Sequence, residues 1–273
     1  MSTTPPTNPP DPPPAPPAAA ARGPVQRFFA SLGPGLITGA ADDDPSGIAT
    51  YSMAGAQLGT SLLWTALVTW PLMGCVQMMC ARIGMVTGRG LAGALAQKFP
   101  RWVVGVVAVA LFIANAINIG ADLAGMADAA GMLTKIPAPW FVFPMGLGIA
   151  WATVRFHYAD IANILKWLAL VLFAYVVTAI AVRPDWIATL RATFIPEMPR
   201  GHEAWGLLVA ILGTTISPYL FFWQASQEVE EEKAMGRRML YRKLGVSTDD
   251  LWTRRLDVAT GTLVSNLVMF SII

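Results

Sequence analysis

Apolar positions along this chain form seven long runs, separated by short polar or basic stretches. A bilayer core ~30 Å thick requires about 20 apolar residues in a helix. The runs therefore predict seven membrane-spanning helices and an all-α integral membrane protein. The expected spans, numbered in order, are 33–58, 61–86, 102–130, 139–154, 159–182, 205–228 and 258–273.

The segment before the first span differs in composition from the rest of the chain. Residues 5–24 are dominated by proline and alanine, which cannot build a packed element. The segment has no apolar core followed by a cleavage site, so it is not typical of a signal peptide. We predict a disordered Pro/Ala-rich cytoplasmic tail at 1–27 and a transmembrane domain at 28–273.

Composition excludes several other classes of protein. Hydrophobic residues make up 55% of the chain and charged residues only 13%, whereas soluble domains average about 25% charged residues. A net charge of +2 gives no basis for nucleic-acid binding. Cys75 and Cys80 both lie inside an apolar run, and two cysteines are too few for a disulfide framework or a zinc site.

The basic residues predict the orientation of the chain in the membrane. If the N-terminus is cytoplasmic, 15 of the 19 Lys and Arg residues fall on the cytoplasmic side and four on the other side. Loops rich in Lys and Arg stay in the cytoplasm. We therefore expect a multi-pass protein of the cell membrane with a cytoplasmic N-terminus. The loop at 228–257 is then expected to be a solvated cytoplasmic connector with short helices.

The first span contains three successive carboxylates, Asp42 to Asp44, followed by Pro45. One charge at the bilayer centre costs at least ~2.5–3.5 kcal/mol on insertion scales, so three require water, a cation or protein around them. Pro45 removes the backbone donor for the carbonyl of Ala41, and it disfavours helical geometry at Asp44. We expect the helix to unwind at Asp44–Pro45, the first break, which presents a carboxylate and a free carbonyl together.

The sixth span has a matching interruption within the sequence Gly-Thr-Thr-Ile-Ser-Pro-Tyr, residues 213–219. Pro218 frees the carbonyl of Thr214 and restricts Ser217, so we expect a second break at Ser217–Pro218. Paired interruptions in two halves of a chain point to a transporter site between inverted repeats. Two proline kinks without a ligand would explain the prolines but would leave the aspartates unexplained.

The atoms at the two breaks indicate the class of ligand. A carboxylate, a hydroxyl and two carbonyls are hard oxygen donors, which suit Mg²⁺, Ca²⁺ and Mn²⁺. Carbonyls and hydroxyls could also hold Na⁺, but the carboxylate favours a divalent ion. The predicted substrate is therefore a divalent metal cation, and we expect no cofactor.

Residues 33–59 and 213–226 resemble the helix 1 and helix 6 motifs of the NRAMP divalent-metal transporters. The family's Asp-Pro-Gly-Asn motif is matched by residues 44–47, and its Met-Pro-His motif by residues 217–219. The resemblance implies a LeuT-like inverted-repeat fold, with the first repeat complete and the second truncated. It also implies metal binding by the Asp44 carboxylate and by the carbonyls of Ala41 and Thr214.

The chain departs from the family motifs at three positions. Gly47 stands where the family has an Asn ligand, Ser217 where it has Met, and Tyr219 where it has His. This pattern resembles the NRAMP-related magnesium transporter branch. Fewer side-chain ligands suit an ion that keeps several waters, as Mg²⁺ does. The expected metal site comprises Ala41, Asp44, Gly47, Thr214 and Ser217.

The third span carries Asn115, Asn118 and Asp122 on one helix face. Asp122 resembles an acidic residue past which protons move in the family, but Gly125 stands where a neighbouring Glu is common. Proton coupling is therefore left open, and a polar seam between helices explains the face equally well. The predicted ion pathway comprises Asp122, Tyr219 and Gln224. For Gln224, too, the alternative is a polar contact between helices.

These observations favour a secondary transporter or facilitator of Mg²⁺ and/or Mn²⁺ over three other functions. A proton-coupled Mn²⁺/Fe²⁺ importer is the first alternative. A cation-coupled symporter of an organic solute is the second, although the aspartates would repel a solute carboxylate. We expect no enzyme activity, because no nucleophile–base pair or His/Cys ligand set lies inside the spans. The expected partners are the metal ion and the lipid bilayer, without nucleic acid.

Overall fold

The computed structural model describes residues 41–156, 171–198, 200–234 and 248–273. The expected tail at 1–27 and the start of the first span lie outside the described residues. Residues 159–170 of the expected fifth span and 235–247 of the expected cytoplasmic connector also lie outside them. Within the described ranges the regular elements are helical, as the apolar runs predict.

The helices follow the predicted spans closely. In chain order they are α1 Pro45–Leu58, a 3₁₀ turn Gly59–Leu62, α2 Trp64–Thr87, α3 Leu91–Lys98, α4 Arg101–Thr134, α5 Pro139–Arg155, α6 Val171–Val182, α7 Trp186–Phe194, α8 His202–Thr215, α9 Pro218–Ala234 and α10 Thr248–Ile272. The short helices α3 and α7 were not predicted. They lie between spans, where the apolar pattern gives no signal.

Three helical stretches in the described part of the chain are long and apolar enough to cross a membrane. They are α2, α4 and the stretch His202–Glu231, which contains α8 and most of α9. Large apolar side chains cover the outer surfaces of α4 and α5, among them Phe112, Ile117 and Trp140. Apolar surface of this extent favours contact with lipid rather than water.

Proline alone does not break a helix in this fold. Pro71 lies inside α2 and Pro144 inside α5, and both helices continue through them. In contrast, α1 begins at Pro45 and α9 begins at Pro218. The two predicted breaks are therefore confirmed, and they differ from the tolerated prolines by the polar residues that precede them.

The core joins the first, sixth and seventh spans. α1 packs against α4, α8 and α10, and α2 packs against α9 and α10. Tyr51, Ile211 and Met269 are fully buried where α1, α8 and α10 meet. The hydroxyl of Tyr51 lies 3.0 Å from Oγ1 of Thr215, which fixes α1 beside the end of α8.

The connector expected at 228–257 is helical where it is described, as predicted, and residues such as Lys233 and Trp252 are exposed. The expectation that it is solvated is wrong at its two ends. Helix α9 continues to Ala234, and α10 begins at Thr248, well before the predicted start of the seventh span. Glu228 is 1% exposed and Asp257 is 0% exposed, and both contact the guanidinium of Arg254. Pairing with Arg254 allows these charges to be buried, which an alternating charge pattern does not reveal.

Candidate metal-binding site

The first break is formed by Asp44, which has extended backbone geometry with φ −76° and ψ 166°. Its Oδ1 accepts hydrogen bonds from the backbone N–H of Gly47 and the hydroxyl of Ser46, both at 2.7 Å. Asp44 is therefore the N-cap of α1, with Pro45 at the first helical position. The prediction that Asp44 leaves the helical region is confirmed, and its Oδ2 is left to face other helices.

The second break lies at Ile216 and Ser217, between α8 and α9. The carbonyl of Thr214 has no helical N–H partner, because Pro218, four residues later, has no N–H. The buried hydroxyl of Ser217 replaces that partner, donating to the Thr214 carbonyl at 2.5 Å, and it lies 3.4 Å from the Gly213 carbonyl. The described hydrogen bonds of Ser217 therefore stay within its own break.

Tyr219 brings the two breaks together. Its hydroxyl lies 3.2 Å from Oδ2 of Asp44 and 3.4 Å from the carbonyl oxygen of Ala41. Gly47 also faces the second break, because a Cβ at this position would lie 3.1 Å from Oγ1 of Thr214. Residues predicted from two distant motifs thus contact one another.

Helix α4 supplies the third side of the site. Nδ2 of Asn118 lies 3.0 Å from Oδ2 of Asp44 and 3.3 Å from Oδ2 of Asp122. Oδ1 of Asp122 accepts from the backbone N–H of Ser46 at 3.2 Å, and Oδ1 of Asn118 accepts from the Ser46 hydroxyl at 3.0 Å. Asn118 and Asp122 share one helix face, as predicted, and that face is turned towards the first break.

Asn118 and Ser46 were not selected from the sequence as site residues. The signal for Asn118 was its i, i+4 spacing from Asp122, and the signal for Ser46 was its place inside the first motif. Gly125 also packs on the break, since a Cβ there would lie 3.2 Å from Cβ of Pro45. A larger side chain at this position requires α4 or the break to move.

Gln224 lies in a different cluster. It is fully buried on α9, and its Nε2 donates to Oε1 of Glu228 at 2.7 Å. The structure connects Gln224 to the buried charges around Arg254 through this bond. A role for Gln224 in an ion pathway stays a prediction.

The neighbouring aspartates turn away from Asp44. Asp42 is 1% exposed and Asp43 is 5% exposed. Both contact α10, where the hydroxyl of Ser265 lies 3.0 Å from Oδ2 of Asp42 and 3.4 Å from Oδ1 of Asp43. The three successive carboxylates are thus divided between two clusters.

The site around Asp44 is composed of hard oxygen atoms. It offers a carboxylate, the Ala41 carbonyl and the amide oxygen of Asn118, and the Tyr219 hydroxyl hydrogen-bonds to the first two. In the described part of the chain, no group of three or more His, Cys, Asp or Glu could hold a metal ion. A cation at Asp44 would depend on carbonyl, amide, hydroxyl and water oxygens, which suits a hard ion.

Comparisons with known proteins identify similar chains. A family model described as natural resistance-associated macrophage protein-like matches residues 35–273. The divalent metal cation transporter MntH of Deinococcus radiodurans is 31% identical, over 75% of this chain and 47% of the relative. Metal transporter Nramp3 of Oryza sativa subsp. japonica is 29% identical, over 72% of this chain and 36% of the relative. The chain spans about half, or less, of the length of these relatives.

Solved structures show the same fold. A mutant of the manganese transporter of Eremococcus coleocola matches with a TM-score of 0.74 and 18% identity, over 93% of this chain and 52% of the other. The same transporter in complex with an aromatic bis-isothiourea substituted compound matches with a TM-score of 0.69 and 20% identity. The LeuT-like fold expected from the two motifs is therefore confirmed.

Proposed function

This chain belongs to the Nramp family, and from that premise we propose that the protein moves divalent metal cations across the membrane through the site at its two breaks. One observation carries the proposal. The hydroxyl of Tyr219, from the sixth span, lies within hydrogen-bonding distance of Asp44 and of the freed carbonyl of Ala41 in the first span. Two helix interruptions far apart in sequence thus form one cluster of oxygen atoms.

The charge of Asp44 supports a cation as the ligand. The described hydrogen-bond donors to its carboxylate are a backbone N–H, two hydroxyls and an amide, all of them neutral. In the described part of the chain, no Lys or Arg forms an ion pair with Asp44. A partly buried carboxylate whose described partners are all neutral donors is an electrostatically favourable place for a cation.

Selectivity for Mg²⁺ and/or Mn²⁺ is the finer part of the proposal. Gly47 offers no side-chain ligand, and Ser217 offers a hard hydroxyl in place of a soft thioether. An ion with few protein ligands keeps part of its water shell, which suits Mg²⁺ because it dehydrates reluctantly. The names of the relatives, which include divalent metal cation and manganese transporters, support a divalent ion in general.

The contacts of Asp122 favour a proton-coupled importer as the second candidate. Asp122 is linked to Asp44 through the side-chain amide of Asn118. A proton on Asp122 would alter the charge next to the metal site. Gly125 removes the neighbouring carboxylate that would extend such a path, so a secondary transporter or facilitator of divalent cations stays the first proposal.

Two other classes receive less support. A symporter of an organic solute would use the positive N-terminus of α1 to bind a solute carboxylate, but Asp44 already caps that terminus. The relatives are metal transporters rather than enzymes, as expected. The proposed partners of the protein therefore remain a divalent metal ion, as its substrate, and the lipid bilayer that surrounds it.

The test is binding heat measured on the purified full-length protein with Mg²⁺, Mn²⁺ and Na⁺ in separate titrations. We expect saturable heat with both divalent ions, and loss of that heat in Asp44→Ala. Asp128→Ala is the matched control, because this carboxylate lies on the exposed surface of α4 and should leave the heat unchanged. Equal loss in both variants, or no divalent binding in the unmodified protein, would contradict the proposal.

We also propose that the N-terminus and the segment between α9 and α10 lie in the cytoplasm of the cell, because 15 of the 19 basic residues are then inside. Single cysteines at Pro10 and Gly245, in a protein whose Cys75 and Cys80 are replaced by Ala, should resist impermeant reagents added to intact cells. A cysteine at Ile136, in the predicted external loop, should be labelled. Labelling at Pro10 or Gly245 from outside reverses the orientation.

A further inference from the structure

Asp42 and Asp43 form a second cluster on the side of the first span that faces α10. Their carboxylates are almost completely buried, and both lie beside the hydroxyl of Ser265, which is itself buried. Ser265 belongs to the seventh span, so this cluster joins two helices that are distant in sequence. It is separate from the oxygen atoms around Tyr219 and Asn118 that surround Asp44.

The hydrogen bonds of this cluster do not account for its oxygen atoms. The hydroxyl of Ser265 carries one hydrogen and cannot donate fully to both carboxylates. Oδ1 of Asp42 and Oδ2 of Asp43 are shielded from solvent and have no hydrogen-bond partner among the described residues. In the part of the chain that the structure describes, no Lys or Arg forms an ion pair with either residue. Buried charges are normally paired or coordinate a cation.

The surrounding charges do not compensate those of Asp42 and Asp43. The carboxylate of Asp44, the next residue in sequence, interacts unfavourably with the charges of both Asp42 and Asp43. Among the residues that the structure describes, Tyr51 on α1 and Tyr219 on α9 also interact electrostatically with Asp42, and neither is a cation. The cluster therefore has the electrostatic character of a cation site, and no described side chain supplies the cation.

We propose that Asp42, Asp43 and Ser265 bind a monovalent cation of the Na⁺ class, distinct from the divalent ion at Asp44. Charge favours a monovalent ion, because a divalent ion is already proposed at Asp44 and a second one beside it would place four positive charges against three carboxyl groups. The carboxylate oxygens without partners and the lone pairs of the Ser265 hydroxyl are hard donors suited to such an ion.

The relation of this ion to transport rests on the proposed function. The bound cation holds the first span against α10, immediately before the first break. Asp44 follows in the same stretch of backbone, so occupancy of one site alters the affinity of the other, and this coupling is reciprocal. Bound Na⁺ neutralises carboxylates that also attract the divalent ion, so Na⁺ is expected to weaken divalent metal binding.

The closing experiment measures binding of radioactive Na⁺ to the purified full-length protein without any divalent metal. We expect saturable binding that excess Na⁺ displaces and choline does not. Asp42→Asn, Asp43→Asn and Ser265→Ala should each weaken binding by about tenfold or more, the scale on which changes around a metal site act. Ser271→Ala is the matched control, because this serine lies on the same helix and donates to the Leu267 carbonyl.

Two further variants keep the result interpretable. Ser265→Thr retains the hydroxyl and should retain Na⁺ binding, which separates loss of a ligand from misfolding. Asp44→Ala should also retain it, so that failure of the divalent site does not count against this one. Absence of saturable Na⁺ binding would overturn the proposal, as would binding in all three cluster variants that is as strong as in the unmodified protein. If protons alone neutralise Asp42 and Asp43, no saturable Na⁺ binding will be seen.

Discussion

The hydroxyl of Tyr219 lies 3.2 Å from Oδ2 of Asp44, although 175 positions separate the two residues in sequence. The same hydroxyl lies 3.4 Å from the carbonyl oxygen of Ala41. Tyr219 therefore contacts two of the oxygen atoms proposed to bind the metal ion. A hydroxyl that donates to an oxygen competes with a cation for that oxygen, so Tyr219 is expected to set the affinity of the site.

Tyr219→Phe tests this competition. The ring is kept and the donor is removed, so a metal ion no longer has to displace a hydrogen bond worth about 0.5–1.5 kcal/mol. We expect the dissociation constant for Mn²⁺ to fall several-fold in calorimetric titrations. Tyr175→Phe on α6, outside the site, is the control and should leave it unchanged. Weaker binding in Tyr219→Phe would show that the hydroxyl is itself a ligand.

The three successive aspartates should respond differently to substitution. Asp44→Ala removes the carboxylate that faces Tyr219 and Asn118, so it should abolish uptake of divalent ions into liposomes. Asp42→Asn and Asp43→Asn alter a cluster that faces α10 and should leave measurable uptake. Equal loss from all three substitutions would contradict the assignment of Asp44 as the metal carboxylate.

Local backbone chemistry explains what could be predicted from the sequence at this site. Pro45 and Pro218 each disfavour helical geometry at the preceding residue and remove the donor for the carbonyl four residues back. Both effects are local, so both breaks could be located from the sequence. Ser46, Asn118 and Ser265 could not be placed, because their hydrogen bonds depend on how α1 packs against α4 and α10. The paired motifs indicated that the two breaks meet, but the sequence does not fix which other side chains meet between helices.

The buried charges around Arg254 were missed for a related reason. An alternating charge pattern predicts a solvated connector, but three carboxylates converge on one guanidinium between α9 and α10. Burial lowers the pKa of Arg254, and the carboxylates of Glu228, Glu231 and Asp257 raise it by more, so the net shift is upward and the side chain stays charged. Convergence of this kind depends on the distance between helices, which the sequence does not give.

Arg254→Ala is expected to destabilise the protein strongly. Glu228 and Asp257 would then remain buried without this cation, and breaking a buried pair by removing one partner costs about 3–5 kcal/mol. The melting temperature in detergent should fall clearly. Lys233→Ala is the matched control, because the ion pair of Lys233 with Glu230 is exposed and such pairs contribute about 0–1 kcal/mol. A similar melting temperature for both variants would show that the Arg254 cluster contributes no stability.

Ion selectivity should depend on Ser217. Its hydroxyl donates to the Thr214 carbonyl at 2.5 Å, so Ser217→Met adds a soft thioether and also frees that carbonyl for an ion. Soft sulfur favours transition metals over Mg²⁺. We expect Ser217→Met to shift uptake towards Mn²⁺ and Cd²⁺, and Ser226→Met, further along the exposed side of α9, to leave selectivity unchanged.

The decisive measurement for the unmodified protein is competition between excess Mg²⁺ and tracer Mn²⁺ during uptake into liposomes. Because Gly47 and Ser217 offer few direct side-chain ligands, the ion is expected to keep part of its water shell, and Mg²⁺ should then compete. In Ser217→Met the same excess of Mg²⁺ should compete less well, since the added sulfur stabilises Mn²⁺ alone. If Mg²⁺ fails to compete even with the unmodified protein, the protein is a transition-metal carrier, and the departures from the family motifs do not determine its ion.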